Sequence, residues 1–470
     1  MNRLLITGGE VVTEAATYTA DVLIQEGLVV AIGRDLSPAD AVVVDATGKL
    51  VLPGCVDMHT HLEAPHNELD DPSEGAVTCD GFPDGSIAAA VGGTTTIVDF
   101  ATQSPGTSFQ ATLEQWKQRL RDRPPAVDVG FHMIVTDMAY PGAEDDLARM
   151  CDEGVTSYKL FLAYKESPLW VDDSTLFRVA QVAAKSGALV MAHAENGGAI
   201  EVLQEQALQR GDTAPIWHSY TRPVRTESEA ISRVATLCGI AEAPAYIMHV
   251  SCREAAEVVA YERDRGSRLW AETCPHYLAF TEDKLLGDWS EAAKYLVTPP
   301  IRENGHADAL WAALRDGTLS VVSTDHCPWL TRWKDAATDF FTIPNGVPGI
   351  ENRLEVMYEL GVRQGRLDLT RLVDLLCAAP ARLFGMFPKK GTIAIGSSGD
   401  IVIFDPRREK VITADEEMSK CDYTIYEGFR MEGSVETVVF GGEIIVRDGR
   451  YVAQFERGGF LPRARFSEPS

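Results

Sequence analysis

From about residue 53 to about residue 390 the chain repeats one unit, a short apolar β-rich run followed by an amphipathic stretch of helical period. The apolar runs close at His61, Phe100, Ile134, Leu162, Glu195, Ser251, His276 and His326, which makes eight. Most intervals carry a helix-like pattern, as in Ser108 to Arg123, Ser174 to Ser186, Glu227 to Ala241 and Arg253 to Arg265. Eight such alternations predict an α/β fold, a (β/α)8 barrel, with a doubly wound open sheet as the rival reading.

The two ends have a different texture. Leu4 to Ile6, Val11 and Val12, Asp21 to Ile24, Leu28 to Ile32 and Ala41 to Asp45 are short β-rich runs, punctuated by Gly8-Gly9, Glu26-Gly27 and Thr47-Gly48. The same pattern returns in Gly399 to Asp405 and in Val435 to Val446. Two β-rich ends around one long middle predict that they pair in space as a small β-sandwich. Residues 1–52 and 391–457 then form the sandwich, 53–390 the barrel and 458–470 a tail. The tail, with Arg463, Arg465 and several Pro and Ser residues, suits a disordered end or an arm across a neighbouring subunit.

Polar residues at the ends of the apolar runs favour the barrel, because its strand C-termini converge on one mouth whereas an open sheet spreads them across its width. His59 and His61 close the first run, Lys159 sits in the fourth, His193 ends the fifth, His249 the sixth and Asp325 the eighth. Residues i and i+2 of an extended strand face the same side, so both imidazoles of Val56-Asp57-Met58-His59-Thr60-His61 can reach one metal ion. Lys159 lies in Tyr158-Lys159-Leu160-Phe161-Leu162, where a charged ammonium is costly. Either it snorkels or pairs with an acid, or nearby dications drive it to the neutral amine. A neutral amine takes up carbon dioxide to become a carbamate, whose two oxygens can bridge two metals.

The predicted site therefore has His59, His61 and Asp325 on one ion, His193 and His249 on the other, and carbamylated Lys159 between them. Zn²⁺ suits these donors best, with Mn²⁺, Co²⁺ and Fe²⁺ as the other candidates. A hydroxide shared by the two ions would be the nucleophile, and Asp325 would carry its proton to a leaving nitrogen. His276 and His326 read equally as ligands or as groups behind the ligands. His66, His218 and His306 read as surface or capping residues.

Composition narrows the function. A chain of 470 residues, 45% of them hydrophobic, can bury a large core. A formal net charge of -26 argues against nucleic acid and against anionic membrane surfaces as partners. No apolar stretch is long enough to span a bilayer, and the N-terminal segment lacks the features of a signal peptide. The nine cysteines are scattered and include no C-x-x-C pair, so they read as free thiols in a reducing, cytoplasmic compartment. Cys327, two residues after Asp325, reads as a small apolar filler.

These residues carry a family resemblance. Pro53 to His61, Gly92-Gly93-Thr94-Thr95-Thr96, Lys159 to Lys165, His193-Ala194-Glu195-Asn196-Gly197, His249-Val250-Ser251 and Ser323-Thr324-Asp325-His326-Cys327-Pro328 resemble the cyclic amidohydrolases. The similarity is greatest to the dihydropyrimidinase and D-hydantoinase branch and runs over nearly the whole chain in order. It implies a binuclear zinc barrel with a carbamylated lysine, a flanking β-sandwich and usually a homotetramer. It also implies a small cyclic amide or ureide as substrate, opened to an N-carbamoyl amino acid. By the same resemblance, the Tyr164 hydroxyl steadies the oxyanion. Thr298 stands where the family commonly has serine and holds the ring amide through backbone groups, and Asn345 is a second ring-binding position.

Two stretches depart from the pattern. Leu62 to Glu74 is longer and more acidic than in a hydantoinase, and Lys165 to Trp170 is altered. In the family these loops line the pocket for the ring substituent, so a non-standard substituent is expected, with Phe161, Leu169 and Trp170 as an apolar wall. An allantoinase or a dihydroorotase shares the metal logic, but His193-Ala194-Glu195-Asn196 favours the hydantoinase branch. A non-catalytic scaffold of the same fold would lack metal ligands, and all six are present.

Overall fold

The computed structural model describes residues 3–37, 39–64, 77–454 and 457–468. Eight parallel strands form one sheet: β1 (Cys55–Asp57), β2 (Thr94–Thr102), β3 (Asp128–Ile134), β4 (Ser157–Phe161), β5 (Leu189–His193), β6 (Ala245–Ile247), β7 (Leu269–Thr273) and β8 (Val321–Val322). Their spatial order is their chain order. A doubly wound sheet reverses its order at a switch point, so the rival reading is excluded. A bridge between Thr60 and His326, with His61 N donating to His326 O at 2.8 Å, joins the first strand to the last and closes the barrel.

The strands are buried almost throughout, as their apolar runs require. Val56, Val98, Met191, Tyr246 and Val321 belong to a packed cluster with Phe384, so the barrel interior is filled rather than hollow. Helices begin where the sequence offers caps: Ser108 accepts from Ala111 N (3.2 Å), Asp172 from Thr175 N (2.8 Å) and Asn196 from Ala199 N (3.0 Å). Some apolar runs outlast their strands. Pro275 opens the helix Pro275–Ala279, which takes His276 off β7.

Both chain ends meet in one nine-stranded mixed sheet, where Ile401 to Phe404 pair antiparallel with Pro53 to Leu50. Its apolar face includes Leu4, Ile6, Val22, Val51, Ile403 and Val439. Gly8-Gly9 is not the expected turn. Arg3–Val12 is one strand with a register shift between Ile6 and Gly9, and Gly8 takes φ +69° there, a value open to glycine at no cost.

The tail lies on its own barrel. Phe460 stacks on Phe131 with ring centroids 5.8 Å apart, and Arg463 Nη2 donates to Phe131 O (2.6 Å) and Ser157 Oγ (2.8 Å). Of the acidic stretch that departs from the family pattern, residues 65–74 lie outside the described residues, as does His66. Glu63 is buried and structural, accepting from Phe82 N (3.1 Å) and Arg123 Nη2 (2.5 Å). Among the described residues no helix is long and apolar enough to cross a membrane.

Candidate metal centre

The strand ends open on a cavity of about 550 Å³. His59, His61, Lys159, His193, His249 and Asp325 all line it, together with Phe161, Tyr164, Thr298 and Asn345. Donor atoms of His59, His61 and Asp325 lie within 4.8 Å of one another. Asp325 Oδ1 is 3.0 Å from His59 Nε2 and 3.3 Å from His61 Nε2. The rings of His193 and His249 meet edge to face at 4.6 Å, and the His249 ring is 5.4 Å from that of His59. Lys159 is fully buried, its Nζ 2.5 Å from Met248 Sδ and 4.4 Å from the centre of the Phe161 ring.

Three non-glycine residues of the cavity adopt positive φ: Tyr164 (+64°), His249 (+38°) and Asp325 (+51°). Each follows the end of a barrel strand, where the backbone leaves the ladder and aims its side chain into the mouth. Such conformations cost about 1–3 kcal/mol each and collect at functional sites.

Burial and charge act against each other at several of these candidate metal ligands. Burial pushes the Lys159 amine down to about 7, although Asp325 and Glu272 oppose it. Burial alone would lower His59, but Asp325 and Glu272 outweigh it and lift the imidazole to about 9. His193 and His249 are driven well below the ordinary histidine value, first by burial and then by neighbouring positive groups. Burial opposes ionisation of Asp325, yet His59 and His61 hold it well below the usual carboxylate range. His193 and His249 as neutral imidazoles and Asp325 as a carboxylate are already in the states that a divalent cation requires, the Lys159 amine is brought towards its own, and His59 would give up its proton to the ion. His249 Nδ1 is buried without a hydrogen-bond partner, and Lys159 forms no ion pair among the described residues. This donor set fits divalent metal ions.

A set of acceptors that sequence reasoning missed orients the candidate ligands. His59 Nδ1 donates to Glu272 Oε1 (2.6 Å), and Glu272 Oε2 also accepts from Tyr246 OH (2.8 Å) and Ser323 Oγ (2.6 Å). His193 Nε2 bonds Glu195 Oε2 (2.7 Å), which takes Arg222 Nη1 (2.9 Å), and the Arg222 guanidinium lies 5.3 Å from the centre of the Tyr164 ring. Glu272 sits inside the apolar run of β7, the same signal that singles out Lys159 in β4.

Neither uncertain histidine lines the cavity. His326 has both ring nitrogens engaged, Nε2 with Asp80 (2.9 Å) and Nδ1 accepting from Gly349 N (3.1 Å) and Ile350 N (3.3 Å). His276 is buried, pushed down to about 4 by burial, with Nε2 unpartnered among the described residues. His306 caps as expected, accepting from Arg253 N (3.1 Å). His218 is not a surface residue. It is buried, its Nε2 3.0 Å from Val297 O and 3.1 Å from Thr298 Oγ1, and so it anchors the Thr298 segment.

The rest of the cavity lining is mixed, with Ile134, Phe161, Leu169, Trp329, Phe341 and Ile343 apolar and Thr102, Glu166, Ser167 and Thr342 polar. Trp170, expected in this wall, does not line it. Its backbone pairs with Phe161, and its ring lies 5.8 Å from the Lys165 ammonium. Cys327 does line it, with its thiol pushed up by burial and resting against Asn345 O (3.8 Å), as an inert filler does.

Known proteins match this chain over its whole length. The profile of the Amidohydrolase family matches residues 50–445. A D-hydantoinase of Geobacillus stearothermophilus is 41% identical over 464 residues, 98% of this chain and 97% of its own. A D-hydantoinase of Streptomyces coelicolor is 43% identical, with 98% of each chain covered. The crystal structure of the dihydropyrimidinase from Brevibacillus agri NCHU1002 superposes with a TM-score of 0.95 at 42% identity, covering 99% of this chain and 100% of that one. With its barrel, its sheet from both ends and its histidine-aspartate cluster all inside these matches, the chain belongs to the amidohydrolase family.

Proposed function

We propose that this protein hydrolyses the cyclic amide bond of a dihydropyrimidine or hydantoin ring and releases an N-carbamoyl amino acid. The observation that carries the reading is the convergence of His59, His61, Lys159, His193, His249, Asp325 and Tyr164 on one cavity. Full-length similarity to enzymes named D-hydantoinase supports it. His59, His61 and Asp325 would hold one divalent ion, and His193 and His249 would hold a second. Lys159, as a carbamate, would complete the donor set, which suits Zn²⁺. Bound divalent ions supply water activation near neutral pH and Lewis-acid polarisation of a carbonyl.

The chain's own residues do the rest. Water adds its oxygen to the ring carbonyl carbon, the carbon–nitrogen bond breaks, and the nitrogen takes a proton. Asp325 accepts the proton of the attacking water and passes it to the leaving nitrogen. Burial raises the Tyr164 phenol, so it stays protonated and donates to the carbonyl oxygen as charge develops there. Backbone groups of Thr298 and Asn345 hold the ring amide, and Phe161 with the apolar residues of the lining takes the substituent. We also assign a division at residues 52, 390 and 457, a homotetrameric assembly and a cytoplasmic location, on the family resemblance and the free cysteines.

A dihydroorotate ring carries a carboxylate. Among the described residues the cavity lining contains no arginine to receive one, which favours the uncharged rings. Metal-replete enzyme assayed on hydantoin, dihydrouracil, dihydroorotate and allantoin is expected to open the first two. Turnover of only the last two would overturn the assignment.

A further inference from the structure

Lys334 lies on the short helix Thr331–Asp335, is fully buried and forms no ion pair among the described residues. Its ammonium reaches two backbone carbonyls instead, Pro344 O at 2.9 Å and Leu296 O at 3.5 Å. Leu296 O also accepts from Gly346 N (3.0 Å), and Asn345 O accepts from Trp329 Nε1 (2.8 Å). These carbonyls belong to the two chain segments, 296–298 and 343–346, that bring Thr298 and Asn345 to the cavity. An apolar side chain of similar volume would fill the space without the cost of burying a charge. Stability alone therefore does not account for a lysine here.

We propose that Lys334 is a positioning residue for ring binding. Its ammonium sets the spacing between the two segments, so that backbone groups of Thr298 and Asn345 meet the ring amide from opposite sides. The proposal rests on the cyclic-amide reading above. Lys334→Met keeps an unbranched side chain of similar volume, one atom shorter, and removes its donors. Steady-state kinetics on hydantoin and dihydrouracil, with metal content and Tm measured on the same samples, separate positioning from bulk stability. KM is expected to rise about tenfold for both rings while kcat stays within about twofold. Metal content is expected to match the wild type, and Lys334→Arg, which keeps the charge, to recover part of the KM. Should Lys334→Met not fold, Lys334→Gln, too short to span the two carbonyls, carries the same expectation. A folded variant with lowered Tm but unchanged KM overturns the proposal. A wild type that turns over neither ring removes the cyclic-amide reading and the proposal with it, before any variant is compared.

Discussion

The bond from His59 Nδ1 to Glu272 Oε1 holds the imidazole so that Nε2 faces Asp325. Glu272→Gln weakens that acceptor while keeping its shape. Metal affinity is expected to fall about 10–100-fold, read as metal retained after dialysis against a graded chelator. In the proposed mechanism Tyr164 acts on the reacting group itself. Tyr164→Phe is expected to lower kcat about 10²–10³-fold with little change in KM, in steady-state kinetics on hydantoin. At this scale, the gathering of His59, His61, Lys159, His193, His249 and Asp325 around one cavity was legible, because each interrupts or ends an apolar run with a residue type able to bind metal. Glu272 offered the same signal as Lys159, but its role depends on His59, 213 residues away in the chain. His218 gave none, because its role depends on Val297 and Thr298, some 80 residues away in the chain.

Among the elements, strands and capped helices followed their periodicity, while loops did not. Trp170 and Leu169 are adjacent in sequence, but only Leu169 reaches the cavity, and Phe341 enters it from a loop after β8 that carries no periodic signal. Trp170→Ala is expected to leave the ranking of 5-substituted hydantoins unchanged, whereas Phe341→Ala is expected to change it, measured as kcat/KM across alkyl and aryl substituents. The segment at Glu351 has its own pH dependence. Burial, then Glu417, lifts the Glu351 carboxyl to about 8, while its Oε2 accepts from Met418 N at 2.7 Å. The folded protein keeps a proton that the unfolded chain releases above about pH 4.3, so this group's contribution makes stability fall as pH rises from there to about 8. Glu351→Gln is expected to raise Tm by about 2 °C at pH 9 and hardly at pH 5, by calorimetry.

For the whole molecule, the meeting of the two ends was legible because both carry the same short β-rich texture, and Ile401 to Phe404 do pair with Pro53 to Leu50. The barrel was legible from eight apolar runs, five of which end in a polar residue. The path of the tail was not, since Arg463 finds its partners Phe131 and Ser157 more than 300 residues earlier. The central claim is that these distant strand ends build one two-metal centre on a modified lysine. Anomalous diffraction from crystals of the metal-replete enzyme tests it most directly. The account expects two metal peaks, one at His59, His61 and Asp325 and one at His193 and His249, with density for a carbamate continuing from Lys159 Nζ between them. A single peak at His59, His61 and Asp325 with an unmodified Lys159 would contradict it.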